Sequence, residues 1–263
     1  MSDAAIANPI PAATILIVRD GETGLEVFMV RRHHQIDFMA NALVFPGGKV
    51  DQGDREAALS AHMDGAENLP LEAKTFAAAA IREAFEESGI LFAREEGSDV
   101  LVSQHRLVDL DRHRHRLEKG EMTLLGLLRA ERLRLACDQL VPFAHWITPE
   151  NMPKRFDTQF FLAVAPYGHA GAHDGRESVD SVWINPEAAV ADRKRLNLVF
   201  PTKVNLMKLG QAKNVADAIE RAKANPPVTV TPWLDRTAEG GPRMRIREDA
   251  GYEQTSTLLK EAY

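Results

Sequence analysis

The chain has 263 residues, of which 44% are hydrophobic and 27% charged, and its formal net charge is −6. Its composition is typical of a globular protein with a hydrophobic core, and the length suits one large domain with insertions. We therefore expect a single domain over residues 1–263. The acidic balance argues against a nucleic-acid partner, because nucleic-acid-binding proteins normally carry a basic excess or a basic stripe.

The cysteine count and the hydropathy pattern indicate a cytoplasmic protein. Cys137 is the single cysteine, so an intrachain disulfide is excluded. The N-terminal residues lack a basic stretch followed by a long apolar run, so we expect no secretory signal. No apolar run approaches the roughly 20 residues that a membrane-spanning helix needs, so we expect no membrane partner.

The N-terminal part of the chain predicts two strands followed by a break. Residues 12–18 and 25–30 are rich in β-branched and other apolar side chains, and a turn sequence separates them. A short apolar stretch at 42–45 ends at a Pro-Gly-Gly break. Residues 51–70 are polar and small, which predicts a loop with one or two helical turns.

A long helix follows this loop. Pro70 precedes the segment Leu71–Ser88, alanines fill it, and Gly89 stands where a left-handed residue commonly ends a helix. The segment is therefore predicted as a helix with Gly89 as its structural stop.

The C-terminal half alternates helical and strand-like segments. Residues 103–137 predict a helical insertion that includes Cys137. The apolar patterns that follow predict strands at 143–148, 156–165 and 179–184, then helices at 186–192 and 201–223. The core is therefore expected over about 12–210, and residues 226–263, after the Asn-Pro-Pro break, predict a hairpin-like extension.

Three glutamates near the end of the long helix form the most informative pattern. At about 100° per residue, Glu83, Glu86 and Glu87 fall in one arc of the helix surface, while Ile81 and Phe85 point to the opposite side. Like charges at this spacing repel, and the C-terminal end of a helix favours cations over acids. A hard divalent cation with oxygen ligands would compensate both effects, so the cluster predicts a Mg²⁺ or Mn²⁺ site.

The simpler alternative is a solvated acidic face in which Arg82 pairs with Glu86. A second pattern favours the metal site: the sequence Phe-Pro-Gly-Gly at 45–48, followed by the acid Asp54. Paired glycines let the backbone approach a ligand or metal closely. The glycine turn and the acidic helix together are more specific than either alone.

Together the two patterns resemble the Nudix box, G-x5-E-x7-R-E-U-x-E-E-x-G-U, in which U is bulky and apolar. Gly48 matches the first glycine, and Asp54 stands where the first glutamate belongs. The remaining positions are matched by Arg82, Glu83, Glu86, Glu87, Gly89 and Ile90, with Ala84 at a bulky position. Between Asp54 and Arg82 lie 27 residues where the family usually has seven, which implies an insertion of 20 residues in a loop.

The long spacer resembles the coenzyme A diphosphatase-like branch of the Nudix hydrolases. The downstream sequences Trp-Ile-Thr-Pro at 146–149 and Arg-Phe-Asp-Thr-Gln-Phe-Phe at 155–161 resemble that branch as well. Its arginine motif upstream of the glycines, R-[SA]-x3-R-x3-G-x3-FPGG, is matched by Arg32 alone, since His33, Asp37 and Asn41 depart from it.

The resemblance implies an α/β/α sandwich with a mixed sheet, and a metal-dependent hydrolase that cleaves a small-molecule diphosphate. In that scheme the catalytic residues are Glu83, Glu86 and Arg82, and Glu83 is favoured as the acceptor of the water proton. The metal ligands would be Glu83, Glu86, Glu87, the Gly47 carbonyl and a loop acid, for which we favour Glu177 over Asp174 and Asp180. Arg82 would orient a carboxylate and pair with Asp54.

Substrate phosphates would be bound by Arg32, Gly48 and Arg155, because arginine binds such groups bidentately. For each of the two arginines, a structural salt bridge is an equal alternative. The substrate itself stays open: coenzyme A or acyl-coenzyme A is one possibility, and NADH, ADP-ribose or nucleotide sugars are others.

Other classes of function stay open as well. A catalytically silent Nudix-fold module that binds ligands or regulates is the main rival, and the intact glutamate set argues against it. A non-hydrolytic enzyme on this scaffold and an unrelated helical interaction protein are further alternatives. The C-terminal extension could pack on a second copy of the chain, which predicts a possible homodimer.

Overall fold

The computed structural model describes residues 7–32, 41–173 and 178–262. Its strands, in chain order, are β1 Ile10–Gly21, β2 Gly24–Arg32, β3 Leu43–Val44, β4 Gly47–Lys49, β5 Met63–Asp64, β6 Ala93–Glu95, β7 Leu133–Ala136, β8 Val141–Ile147, β9 Phe156–Val164, β10 Ser178–Ile184, β11 Thr229–Val230, β12 Trp233–Asp235, β13 Arg243–Arg245 and β14 Ser256–Leu258. Its α-helices are α1 Leu71–Ser88, α2 Gln104–Leu110, α3 Arg114–Glu118, α4 Leu124–Glu131, α5 Pro186–Ala191, α6 Phe200–Gly210 and α7 Val215–Ala224.

Short 3₁₀ turns connect several of these elements. They are Gly53–Arg55, Ala57–His62, Asp111–His113, Cys137–Gln139, Glu248–Ala250 and Leu259–Glu261. The first two lie in the segment predicted as a loop with one or two helical turns, so that prediction is confirmed, with β5 as an addition.

A mixed sheet organises the molecule, with the strand order β10-β2-β1-β9-β8-β11. The pairs β1–β9 and β8–β11 are parallel, and the others along this path are antiparallel. β1 is long enough to pair with β4 near its start and with β2 at its end. Its β-branched and apolar run suits a strand that is buried on both faces.

The two faces of the sheet carry separate hydrophobic cores, because successive strand side chains point in opposite directions. Ile15 and Ile17 pack in one core with Phe85 of α1 and with apolar residues of α2 to α4. Leu16 and Val18 pack in the other core, together with residues of α5, α6 and α7. Helices thus cover both faces, which confirms the predicted α/β/α sandwich with helical insertions.

Helix α1 has the predicted bounds, Leu71–Ser88. Gly89 adopts the left-handed conformation with φ 68° and donates its N–H to the Phe85 carbonyl at 2.9 Å. The sequence predicted both ends of this helix because the residues that specify them, Pro70 and Gly89, lie directly beside it.

The prediction that residues 103–137 are helical throughout is wrong at its C-terminal end. Arg132 has φ 53° and ends α4, and the chain then forms β7. β7 pairs with β5 and β6, which lie far away in sequence, and this small sheet buries both Leu133 and Leu135. Long-range pairing therefore overrides the local helical preference of this segment.

The single helix predicted at 201–223 is also wrong, because α6 and α7 are separate helices. The chain leaves helical geometry after Gly210 and restarts at Asn214, whose side chain accepts a hydrogen bond from the Asp217 N–H at 2.9 Å. Asparagine is a strong helix N-cap, which explains the new start.

The C-terminal extension folds back onto its own chain. Strands β12, β13 and β14 form an antiparallel sheet, so the predicted hairpin gains a third strand, and β11 adds to β8. Trp146 Nε1 donates to the Tyr252 hydroxyl at 2.8 Å, and that hydroxyl donates to Asn205 Oδ1 at 2.8 Å. The extension is thus anchored within the chain by buried polar groups; the homodimer stays a prediction.

The thiol of Cys137 lies in the core, within a 3₁₀ turn and not in the predicted helix. Burial raises its pKa to about 12, and the side chain packs with the apolar residues of the core. Within the described ranges, every helix is too short or too polar to cross a membrane.

Candidate active site

Three of the glutamates of α1, Glu83, Glu86 and Glu87, border one cleft of about 620 Å³. Glu83 and Glu87 are nearly buried, with 9% and 6% of their surface exposed, and the Glu86 side chain is 10% exposed. β4 lies directly beside them, and residues of β1, β8 and β9 continue the lining. The predicted convergence of these residues at the glycine turn is therefore present in the fold.

Arg82 lies at the centre of the acidic cluster. Its Nη2 bonds Asp54 Oδ2 at 2.8 Å, and its Nη1 bonds Glu83 Oε1 at 2.9 Å and Glu86 Oε2 at 3.0 Å. A further bond from Nη2 reaches the Lys49 carbonyl at 2.8 Å. Burial alone would lower the pKa of Arg82, but Glu83, Asp54 and Glu86 outweigh that effect and raise it. The predicted Arg82–Asp54 pair forms, and it joins the two ends of the 27-residue spacer.

The two glycines of β4 bring backbone against the acids. Gly47 donates its N–H to Glu87 Oε2 at 2.9 Å. A Cβ atom on Gly48 would overlap the Glu83 carboxylate, so any other residue at this position would displace that carboxylate. At Gly47 the constraint comes from β1, because a Cβ atom there would overlap the Ala13 carbonyl and Thr14. Both glycines line the cleft.

The cluster retains an excess of negative charge. Arg82 supplies one positive charge against the carboxylates of Asp54, Glu83 and Glu86 that it bonds. Burial raises the pKa of Glu86 to about 8, although Arg82 acts to lower it. Buried carboxylates that are undercompensated in this way are suited to a divalent cation.

The carboxylate oxygens fit such an ion chemically, as hard donors. In the arrangement described for residues 7–32, 41–173 and 178–262, no three His, Cys, Asp or Glu side chains are gathered as ligands of one metal ion. Oxygens of Glu83 and Glu86 face Arg82, and one oxygen of Glu87 faces Gly47. Binding of an ion would therefore use the second oxygen of each carboxylate, brought towards one point by a local adjustment of these side chains.

The other predicted site residues have different outcomes. Arg32 lines the cleft, and its buried Nε has no hydrogen-bond partner among the described residues. Arg155 donates to the carbonyls of Thr148 and Ala7 at 3.0 and 2.8 Å and is not among the described lining residues, so we do not retain it as a phosphate contact. Glu177 lies outside the described residues, as does Asp174.

Four charged residues that line the cleft have no counterpart in the sequence analysis: Lys49, Asp51, Glu118 and Lys154. Glu118, at the end of α3, lines the same cleft as the α1 glutamates, and its Oε2 lies 3.2 Å from His115 Nδ1. Lys154 also lines the cleft, with its Nζ 5.6 Å from the centre of the Phe156 ring. The helical insertion contributes Glu118 through its fold, so no local signal could have identified it.

The end of the cleft away from the acids is apolar. Trp146 of β8 lines it and packs edge-on against Phe200 at the start of α6, with ring centres 6.3 Å apart. The other apolar residues that line the cleft are Ala12, Val44, Phe45, Ile147, Pro149, Met152, Phe156, Phe160, Val199, Pro201, Pro232, Met244 and Ala262. The cleft therefore combines an acidic end with an extended apolar end.

Comparisons of the sequence and of the structure with known proteins both find Nudix proteins. A family model described as the NUDT19 Nudix domain matches residues 59–205. The Caenorhabditis elegans protein named "Putative nudix hydrolase 7" is 30% identical over 207 residues, which is 77% of this chain and 61% of that protein. The Xenopus laevis acyl-coenzyme A diphosphatase NUDT19 is 26% identical over 216 residues, with 67% of this chain and 57% of that protein covered.

The chain thus spans about three fifths of the length of these two relatives. Among solved structures, the NUDIX hydrolase from Alicyclobacillus acidocaldarius aligns with a TM-score of 0.64 and 26% identity, over 82% of this chain and 97% of that one.

Proposed function

The chain belongs to the Nudix hydrolase family, and from that membership we propose that it hydrolyses the diphosphate linkage of a nucleoside-diphosphate-type substrate, with coenzyme A or acyl-coenzyme A as the leading candidate. The observation that carries the proposal is the cleft in which Glu83, Glu86 and Glu87 meet the β4 glycines. The substrate candidate is supported by the name of the Xenopus laevis relative and by the apolar end of the cleft.

In the proposed reaction, water adds to one phosphorus and the bridging P–O bond breaks, which yields two phosphomonoesters. Mg²⁺ or Mn²⁺, when bound, would neutralise phosphate oxygens and lower the pKa of the attacking water. Glu83, Glu86 and Glu87 would hold the ion, with the Gly47 carbonyl as a further ligand. Glu83 accepts the water proton in this scheme, and Glu118 supplies another acid at the same cleft.

Two other residues have supporting parts. Arg82 keeps the carboxylates oriented, because it already bonds Glu83 and Glu86 and is itself fixed by Asp54. The guanidinium of Arg32 lines the cleft and would bind a substrate phosphate. Gly48, which lines the same cleft, would let that phosphate lie close to the backbone.

The proposal is tested with a substrate panel in the presence of Mg²⁺ or Mn²⁺: coenzyme A, an acyl-coenzyme A, NADH, ADP-ribose and a nucleotide sugar. Hydrolysis of the coenzyme A compounds to two phosphomonoesters is expected. Glu83→Gln and Glu86→Gln should each lower kcat by about 100-fold or more, since they remove a proton acceptor or a metal ligand. Glu118→Gln in the same series measures the contribution of the insertion.

Glu72→Gln is the matched control, because Glu72 is exposed at the first turn of the same helix. Mn²⁺ binding, measured by electron paramagnetic resonance, should weaken in Glu86→Gln and not in Glu72→Gln. If the wild-type chain binds Mn²⁺ and a diphosphate compound without releasing products, it is the silent binding module. Turnover confined to NADH, ADP-ribose or a nucleotide sugar would contradict the coenzyme A assignment.

A further inference from the structure

The apolar end of the cleft is completed by the C-terminal extension. Met244 of β13, Pro232 before β12 and Ala262 after β14 all line the cleft. These residues lie beyond residue 205, where the match to the family model stops. This wall is therefore a feature of the chain that the family match does not describe.

The wall is held in place by specific buried contacts. Tyr252, in the extension, accepts the Trp146 indole N–H and donates to Asn205 of α6, both at 2.8 Å. The N–H of Phe200 donates to the Ala262 carbonyl at 3.0 Å. Tyr252 is 7% exposed and Met244 is 3% exposed, and both pack in the core that contains Leu16 and Val18. Such contacts make the wall a fixed part of the cleft.

The sheet connects this wall to the acidic end without a break. Lys49 of β4 pairs with Ala12 of β1, Ala12 pairs with Thr158 of β9, and Thr158 pairs with Trp146 of β8. Three interstrand spacings of about 4.8 Å give a floor of roughly 14 Å from the glycine strand to Trp146. A substrate whose diphosphate lies at the acids can therefore extend an arm along this floor to the wall.

The lining of the wall discriminates between chemical groups. A nucleobase is commonly recognised by carboxamide or carboxylate side chains. The described residues that line the cleft include no Asn or Gln, and its carboxylates are those of Asp51, the three α1 glutamates of the acidic end and Glu118, none of which belongs to the wall. The polar side chains on this side are the hydroxyls of Thr148, Thr158 and Thr202 and the ammonium of Lys154, whose Nζ lies 5.6 Å from the centre of the Phe156 ring. Aromatic and aliphatic side chains surround them, which favours a flexible apolar chain.

From these observations we infer that the C-terminal extension forms the binding wall for the acyl end of the substrate, with Met244 as a specificity-determining residue and Tyr252 as a positioning residue. This inference rests on the proposed diphosphatase function. It assigns the thioester end of the pantetheine arm and the attached acyl carbons to the cleft between Trp146, Phe200 and Met244.

The test compares free coenzyme A with a long-chain acyl-coenzyme A on the full-length chain. Met244→Ala removes apolar contact surface, so the ratio of kcat/KM for the acyl substrate to kcat/KM for free coenzyme A should fall by about five- to tenfold. Leu234→Ala is the control: Leu234 pairs with Met244 across β12 and β13 but is not among the described lining residues.

Tyr252→Phe tests the anchor with minimal change of volume. It should lower the same ratio of kcat/KM values, because the wall loses a hydrogen bond that holds it. At position 244, Met244→Leu should retain most of the acyl preference that Met244→Ala loses. Equal effects of Met244→Ala on both substrates, or no effect on either, would overturn the inference while leaving the diphosphatase intact. Absence of wild-type turnover on both substrates would instead remove the proposed function.

Discussion

A single buried arginine organises the acidic residues at the cleft. Arg82 is 5% exposed, and the Asp54 side chain that it bonds is fully buried. A charge in such a place is stable only while its partners are present, because the cost of removing it from water is several kcal/mol. Asp54 is therefore important for folding as well as for the orientation of Arg82.

We expect Asp54→Asn to destabilise the chain by about 3 kcal/mol, because it removes a buried carboxylate and leaves Arg82 with an amide group. Asp51→Asn is the matched control: Asp51 lies 3.8 Å from Arg82 Nη1 but its side chain is 65% exposed, so its loss should cost about 0.5 kcal/mol or less. The free energy of unfolding from urea titration checks both values. Equal midpoints for the two variants would contradict the structural role of Asp54.

At the scale of elements, one acidic residue links the helices of the insertion. Glu131 ends α4, and its carboxylate accepts hydrogen bonds from Arg106 of α2 and from Arg112, each at 2.8 Å. His113 Nε2 lies 2.7 Å from the same carboxylate. The bond from Arg106 makes the largest contribution, and together these groups lower the pKa of Glu131 to about 2.

The lowered pKa makes the insertion sensitive to acid. Because the folded-state pKa lies below the ordinary value of 4.5, the stabilisation is complete above pH 4.5 and is lost as the pH falls towards 2. Glu131→Gln should therefore lower Tm at pH 7, and its difference from the wild type should shrink between pH 4.5 and pH 3. Glu96→Gln is the control, since Glu96 pairs with Arg132 at the surface. A Tm difference that is constant with pH would contradict this assignment.

The sequence predicts an element well when the residues that specify it lie within or next to that element, and poorly when they lie far away along the chain. Helix α1 and its glutamates were predictable because periodicity, Pro70 and Gly89 act locally. β7 was not, because its strand partners come from residues 63–64 and 93–95. The break between α6 and α7 had a local signal in Asn214, but the apolar pattern that continues through it suggested one helix.

The same distinction holds at the candidate site. The acidic end was predictable, since the glutamates share one helix and the glycines one short strand. Glu118 and Met244 were not, because the insertion and the extension reach the cleft only after folding. Arg155 shows the converse: a motif position suggested a phosphate contact, yet the guanidinium is used by the carbonyls of Thr148 and Ala7.

At the scale of the whole molecule, two cores share one central sheet, and α1 and α6 close opposite faces of it. The candidate site uses both halves: its carboxylates come from α1, and its apolar wall comes from the face covered by α6 and the C-terminal extension. A substitution that alters packing on either face can therefore shift residues that line the cleft.

Cys137 is buried in the core that contains Ile15, Ile17 and Phe85, and the pKa of its thiol is raised. The reactivity of this thiol therefore reports local unfolding of that core. A thiol-specific reagent such as a maleimide should label the native protein far more slowly than the same chain in concentrated urea, because thiolate forms only after the thiol meets solvent. Labelling rates at rising urea concentrations then measure how often this core exposes its interior, without any engineered probe. Native labelling as fast as that of a free cysteine would mean that this region opens freely.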